Sequence, residues 1–328
     1  MSKHVKKKPP FVIAEIGNNH EGSFSIAKKL VKEASKAGVS AVKFQTFRTE
    51  YYVNKIDKKR FKRLKKFELT KKNFIYLSEL AKDLNLKFIS TPFDLESANF
   101  LSKIVDIFKI SSGDNNYYEL IKEVSKFNKK VFISLGLTNI GEIIKLVKYL
   151  KKVDLKHRTT LMHCVSSYPA TSNEANLESI NFLRFKLKME IGYSDHTIGI
   201  IAPLIAYSFG ANIIEKHFTL DNNFSNFRDH KLSLNPKDMK NLTNQLNQVN
   251  LMFGNFAKEL SLNEKKNLNS MRRSFYTTQD ILKGEIITEN KIKFVRPFIK
   301  LLNKNHIIGK KTKKKILAND IISKKDLI

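Results

Sequence analysis

An eightfold alternation leaves this chain few folds to choose from. Runs of β-branched and aromatic residues recur at Phe11–Ile16, Ala41–Gln45, Lys87–Thr91, Ile107–Ile110, Lys130–Ser134, Thr159–Cys164, Met189–Tyr193 and Asn212–Lys216. Each is followed by a polar or glycine-containing turn. Between them lie helix-like stretches at Ser25–Ala37, Lys71–Leu84, Leu95–Ile104, Tyr118–Phe127, Ile140–Lys151, Leu177–Phe185 and Ile200–Phe209, with Lys237–Met252 after the last. Parallel neighbours need a crossover of helix length between them. Eight such units predict an α/β fold, a (β/α)8 TIM barrel, over residues 11–262. From about Met271 the periodicity changes, with short strands around the turn-like Lys283-Gly284-Glu285 and little room for a crossover helix. Residues 271–328 therefore predict a small, mostly β module, joined to the barrel by an Asn- and Lys-rich linker at 263–270. Residues 1–10, MSKHVKKKPP, read as a basic tail.

The chain carries 60 Lys and Arg against 31 Asp and Glu, a net charge of +29. Such a balance attracts any polyanion in a salt-sensitive way. The lysines are spread along helix faces, however, and clusters such as Lys310 to Lys315 are not interleaved with stacking aromatics. No helix-turn-helix, zinc-finger or RRM pattern appears, so no specific nucleic-acid partner is expected. A positive field also steers small anionic substrates. No apolar run reaches the roughly 20 residues of a spanning helix, so no membrane partner is expected. The basic start leads into the strand-like FVIAEI rather than an apolar signal segment, and Cys164 is the single cysteine. Both features predict a cytoplasmic, reducing location.

In a barrel of this kind the active site lies at the carboxyl ends of the strands. Those ends are nearly all polar here: Glu15 with Asn18, Asn19 and His20; Lys43 and Gln45; Ser90 and Thr91; Lys109, Ser112 and Asp114; Ser134 and Gly136; His163, Ser166 and Tyr168; Ser194, Asp195 and His196; Glu215, Lys216 and His217. A purely structural barrel would need only turn residues there. His196 and His217 end consecutive strands, and a pair of imidazoles suits Mn, Fe, Co or Zn with positions left open for substrate oxygens. Lys43 and Lys109 sit inside strands otherwise made of Val, Phe and Ile. A buried lysine needs an anionic partner. These two, with Lys216 as a third candidate, predict a phosphate- and carboxylate-binding mouth with Thr91, Ser112, Ser134 and the backbone near Gly113 and Gly136 as donors. Glu15 and Asp114 face those cations as candidates for holding a hydroxyl and for moving protons. Asp114 also has the competing reading of a helix cap.

The phrases AEIGNNHEG, VKFQTF, FISTPFD, FKISSGD, HCVSSYPA, IGYSDHTIG and EKHFTLD resemble those of the sialic acid (N-acetylneuraminate) synthase family, which includes legionaminate and pseudaminate synthases. The tail, RRSFYTTQDILKGEIITENKIKFVRP, resembles that family's C-terminal antifreeze-like (SAF) domain. The resemblance runs from about Phe11 to Ile328. It implies an enzyme that condenses phosphoenolpyruvate with an N-acetylated amino sugar, either N-acetylmannosamine or a diacetamido-dideoxy hexose. A divalent metal, Mn²⁺ or Mg²⁺, would be held by His196 and His217. Lys43, Lys109, Ser112, Ser134 and Tyr168 would bind phosphoenolpyruvate, and Gln45, Thr91 and Ser166 would also contact substrate. Glu15 and Asp229 would contact the sugar, and Asp114 would transfer protons. Arg296 would reach into the partner's barrel of a domain-swapped homodimer. The chain departs from the family pattern at Asp114 for glutamate, Ser166 for asparagine, Leu135 for threonine, FRDH around Asp229 and RPF after Arg296. The rivals are another phosphoenolpyruvate-dependent sugar-acid synthase and a non-catalytic, basic polyanion-binding protein.

Overall fold

The computed structural model describes residues 9–255 and 257–328, so residues 1–8 of the basic tail lie outside the described residues. Eight parallel strands close into a barrel in chain order: β1 Phe11–Gly17, β2 Ala41–Thr46, β3 Lys87–Pro92, β4 Ile107–Ile110, β5 Lys130–Ser134, β6 Thr159–Cys164, β7 Ile191–Asp195 and β8 Ile213–His217. The expected (β/α)8 barrel is present. The seventh strand starts two residues later than expected and runs through Asp195, because Tyr193, Ser194 and Asp195 pair with Ile214, Glu215 and Lys216 of β8. Polar residues there stay in the sheet because they satisfy one another across it.

Strand residues alternate between two environments, as period-two geometry requires. One set, including Val12, Val42, Phe44, Phe88, Phe108, Ile133 and Ile214, packs against the helices in the main core. The other begins as an apolar plug inside the barrel: Ile13, Ala41, Ile89, Ile107, Phe132, Met162 and Ile213. Fully burying each Ile or Phe is worth about 1.5–3 kcal/mol. Two positions beyond each plug residue the same face carries Glu15, Lys43, Thr91, Lys109, Ser134, Cys164 and Glu215. One alternation thus seals the barrel and lines its mouth with polar groups.

The expected crossover helices form, and three further helices, Thr49–Tyr52, Lys58–Phe67 and Arg228–Leu232, stand in the loops. Lys58–Phe67 was hidden by its charge, since its sequence KKRFKRLKKF buries only Leu64 and Phe67. Asp57 caps it by accepting the Arg60 N–H at 3.0 Å. Its last turn packs on the loop after β1 at Gly22, which has φ +85° and where a Cβ would stand 2.1 Å from the Lys66 carbonyl oxygen. Only glycine allows both the conformation and the approach.

A second compact unit runs from Asn255 to Ile328. It pairs β9 (Ser274–Thr277) with β10 (Ile292–Val295) antiparallel, around a small core of Ile281, Ile287, Leu302, Ile307, Ile322 and Leu327. The segment expected to be a linker is instead a helix, Leu262–Met271. Ser261 accepts the Glu264 N–H while the Glu264 carboxylate takes the Ser261 N–H, a capping box that outweighs the Asn-rich composition behind it.

Candidate active site

A cavity of about 680 Å³ opens at the carboxyl ends of the barrel strands. Its floor is a compact ionic network. The Lys43 ammonium lies 3.1 Å from Glu15 and 3.4 Å from Glu215, and the Lys109 ammonium lies 3.1 Å from Glu215. Ser194 donates its hydroxyl to Glu215 at 2.8 Å. Burial works against the Glu215 carboxylate, but Lys109 and Lys43 outweigh it and hold its pKa at about 2. Burial also opposes the charge on Lys43, yet Glu15 and Glu215 raise its pKa above the ordinary lysine value. Lys109 is lowered because burial exceeds what Glu215 returns. Glu15 is raised, because burial and Glu215 exceed what Lys43 returns. Two lysines thus face two carboxyl groups, and most of the floor's positive charge is matched.

Above this floor sit donors with nothing to donate to. The buried hydroxyls of Thr91, Ser134 and Ser166 have no partner among the described residues. Gly136 donates its N–H to the Ser112 hydroxyl at 3.1 Å. A Cβ on Gly136 would stand 2.2 Å from the Ser166 hydroxyl oxygen and 2.7 Å from that of Ser112. Asn115 fixes this loop by donating to the carbonyls of Ser134 and Gly136. The result is a hydroxyl cradle beside two lysines, a donor set suited to phosphate or carboxylate. Leu135, where the family pattern has threonine, faces the helix-side core instead and leaves the cradle untouched.

His196 and His217 come together, with ring centroids 5.4 Å apart. His196 Nδ1 is 2.7 Å from the Val165 carbonyl, which can only accept, so Nδ1 carries a proton and Nε2 carries the lone pair in the neutral ring. Burial, with His196 and Lys43 nearby, keeps His217 neutral, and its Nδ1 has no partner. Burial opposes charge on His196, but Cys164 and the Val165 carbonyl raise its pKa above the ordinary histidine value, so the pair would hold a divalent cation once the Nε2 of His196 gives up its proton. Among the described residues no group of three His, Cys, Asp or Glu side chains could hold one. The protein would therefore supply two ligands and leave the rest to water and substrate. Cys164 is a buried free thiol 3.8 Å from His196 Nδ1.

The outer wall carries Tyr168, whose ring lies 4.1 Å from that of His196 and under the Arg228 guanidinium at 4.5 Å. Burial raises the Tyr168 pKa, which keeps the phenol protonated. Asp229 is buried beside Arg228, and burial raises its carboxyl pKa. Asp114 lines the same cavity in a short 3-10 turn. It does not cap the following helix, whose cap residue is Tyr117; it accepts the Ser111 hydroxyl instead, and burial raises its pKa. Asn18 donates to Gln45 at 2.8 Å, and Gln45 reaches Glu15 at 3.4 Å. Asn19 and His20 are structural, bonding Phe218, Ser233 and Gly22.

One expectation fails. Lys216 does not join the other two lysines: on β8 it alternates with Glu215 and His217 and is fully enclosed against Asp195 at 2.6 Å. Arg296 belongs to the C-terminal unit, where its Nε–H donates to the Met271 carbonyl at 2.7 Å. The sequence puts Glu215 at the eighth strand mouth but assigns it no role, and Arg60, Arg63 and Arg228 are not expected in the site. The alternation that turns Lys43 inward does the same for Glu215 and so could have paired it with the lysines.

Comparisons with known proteins agree with this arrangement. The NeuB family pattern matches residues 30–258 and the SAF domain pattern residues 272–328. The N,N'-diacetyllegionaminic acid synthase of Campylobacter jejuni is 39% identical over 96% of this chain and 99% of its own. An uncharacterised protein of Methanocaldococcus jannaschii is also 39% identical, over 98% of this chain and 96% of its own. Among solved structures, the N-acetylneuraminic acid synthetase of Leptospira borgpetersenii, in complex with citrate, is 35% identical. It covers 79% of this chain and 90% of its own, with a TM-score of 0.75. With its closed barrel, polar mouth and SAF domain, the chain belongs to the NeuB family and is an enzyme of the N-acetylneuraminate synthase type.

Proposed function

We propose that this enzyme condenses phosphoenolpyruvate with the open-chain form of an N-acetylated amino sugar, N-acetylmannosamine or a diacetamido-dideoxy hexose, giving a nine-carbon 2-keto sugar acid and phosphate. The observation that carries this reading is the cradle of unpartnered hydroxyls from Thr91, Ser134 and Ser166 beside Lys43 and Lys109. Buried donors without partners cost stability unless a ligand satisfies them.

Lys43 and Lys109 would hold the anionic groups of phosphoenolpyruvate, with the hydroxyl cradle around the phosphate. Glu15, with Gln45, would orient the sugar, and Asp229 would take a sugar hydroxyl on the outer wall. The new bond joins C3 of phosphoenolpyruvate to the sugar's carbonyl carbon, and the carbonyl oxygen takes up a proton. Asp114 suits a role in that transfer because burial raises its pKa and leaves it able to carry a proton. Water then adds at C2 and the C2–O bond to phosphate breaks, with Lys43, Lys109 and the hydroxyls stabilising the departing anion. A divalent cation, Mn²⁺ or Mg²⁺, held by His196 and His217 would supply Lewis acidity to the sugar carbonyl. Arg296 would complete the site of a partner subunit in a domain-swapped homodimer.

Among the described residues no helix is long and apolar enough to cross a membrane. The test is mass spectrometry of products from phosphoenolpyruvate, Mn²⁺ and a panel of amino sugars. A mass equal to sugar plus pyruvate, with one phosphate released per product, supports the reading. Product formed only from simple four- or five-carbon aldose phosphates would replace it with another sugar-acid synthase.

A further inference from the structure

The cavity holds more positive charge than its floor explains. Lys43 and Lys109 are balanced by Glu15 and Glu215, and Arg228 lies 3.3 Å from Asp229. Two further cations line the outer wall, Arg60 and Arg63, and neither has a carboxylate partner among the described residues. They stand three apart on the helix Lys58–Phe67, hence on one face.

These arginines are held in place, unlike freely solvated lysines. The Arg60 guanidinium lies 5.4 Å from the Tyr52 ring centroid and donates to the Tyr52 hydroxyl at 3.4 Å. Tyr52 in turn stacks at 4.1 Å on Phe93. The Arg63 guanidinium lies 5.8 Å from the centre of Phe227, which packs edge-on against Phe67 of the same helix. Leu64 joins Phe47 and Phe93 in a small cluster beneath. The helix is thus bolted to the loops after β2 and β3 and to the loop after β8.

We propose that Arg60 and Arg63 form an outer capture site for the anionic substrate, ahead of the largely balanced lysine–glutamate floor. The proposal rests on the reading that this substrate is phosphoenolpyruvate. A floor whose charges largely cancel exerts little long-range pull on an anion, whereas two unpaired guanidiniums at the rim of a concave mouth focus the field. Capture there delivers phosphoenolpyruvate to the cradle and draws phosphate outward after the reaction.

The test compares Arg60→Gln/Arg63→Gln with the charge-matched control Lys59→Gln/Lys62→Gln on the same helix, whose lysines do not line the cavity. Phosphoenolpyruvate kcat/KM is measured at saturating sugar and Mn²⁺ at about 0.01 M and about 1 M ionic strength, between which the screening length falls from about 30 Å to about 3 Å. The arginine pair should lower it about 10-fold at low ionic strength and less than about 2-fold at high. The control should stay near wild type. Equal losses in both pairs would assign the effect to the whole-protein charge and overturn the proposal. So would an unchanged phosphoenolpyruvate kcat/KM, or a change confined to the sugar's KM. Calorimetric titration with phosphoenolpyruvate alone separates this proposal from the reading beneath it. A wild-type enzyme that binds phosphoenolpyruvate beside an arginine variant that binds equally well sinks only the capture site. A wild type that neither binds nor consumes it sinks both.

Discussion

Lys216 separates a structural reading of this barrel from a catalytic one. Its ammonium and the Asp195 carboxylate are fully enclosed at 2.6 Å, and Lys216 also donates to the Thr197 carbonyl. Asp195 further accepts the Tyr193 hydroxyl at 2.8 Å and the Thr197 N–H at 2.9 Å. Lys216→Met keeps the side chain out to Cε, removes the ammonium and strands the carboxylate with two neutral donors. Breaking one partner of a buried pair costs about 3–5 kcal/mol. At about 2–4 °C per kcal/mol for a domain of this size, the lower figure lowers Tm by roughly 6–12 °C. Adding Asp195→Asn removes the stranded charge while keeping an oxygen for both donors, and should restore about 2 kcal/mol. Thermal unfolding followed by circular dichroism measures both variants, and the KM for phosphoenolpyruvate is read on the same samples below the transition. A Lys216→Met enzyme within about 1 kcal/mol of wild type would refute the buried-pair argument. A large rise in phosphoenolpyruvate KM without loss of stability would return Lys216 to the mouth.

Lys109→Met should raise the phosphoenolpyruvate KM by about 10- to 100-fold, the loss of a charge-assisted contact worth about 1.5–3 kcal/mol, and leave the sugar KM within about 2-fold. His196→Ala and His217→Ala should each abolish condensation and weaken Mn²⁺ binding by calorimetry while the far-ultraviolet spectrum is unchanged; full activity of either after chelation would remove the metal role. Gly136→Ala drives a methyl toward the Ser166 and Ser112 hydroxyls, so steady-state kinetics should show a phosphoenolpyruvate KM raised about 10-fold, and Gly136→Ala/Ser166→Ala should recover part of it. Mixing Arg296→Ala chains with His217→Ala chains, each inactive alone, should restore activity if the arginine serves a partner's barrel; exchange of subunits with no recovery would place its action within its own chain or nowhere.

The barrel was legible because strand-forming runs and crossover helices alternate without interruption, and the first six strands fall within a residue of where the β-branched runs lie. The lysines of the mouth were legible for the same reason, since Lys43 and Lys109 interrupt apolar strands. Lys216 interrupts one too, but parity sets it apart. His217 faces the cavity, so its neighbour must face the helices, and Glu215 must face inward. Parity likewise disposes of Leu135, one position after the inward Ser134. The helix Lys58–Phe67 was not legible, because seven cations in ten residues drown a weak apolar stripe. What fixes it is tertiary: aromatic contacts from three loops, and a glycine at position 22 that admits the Lys66 carbonyl of its last turn.

So basic a chain needs more than charge to be selective. A mouth lined only with lysines would take any polyanion, and the net charge of +29 would favour the wrong ones. Here the deep lysines are matched by Glu15 and Glu215, so charge alone gains little at the floor. An anion that lacks oxygens for the Ser134 and Ser166 hydroxyls would leave those donors unsatisfied and still have to displace the glutamates. On the proposed reading, hydroxyl geometry would decide which anion stays, and the arginines at the rim how fast one arrives. Removing Glu215 should accordingly loosen the choice: Glu215→Gln leaves two lysines against one carboxylate, and inorganic sulfate should become a markedly stronger competitor of phosphoenolpyruvate. Unchanged sulfate inhibition in that variant would mean that the floor's balance of charge has no part in selectivity.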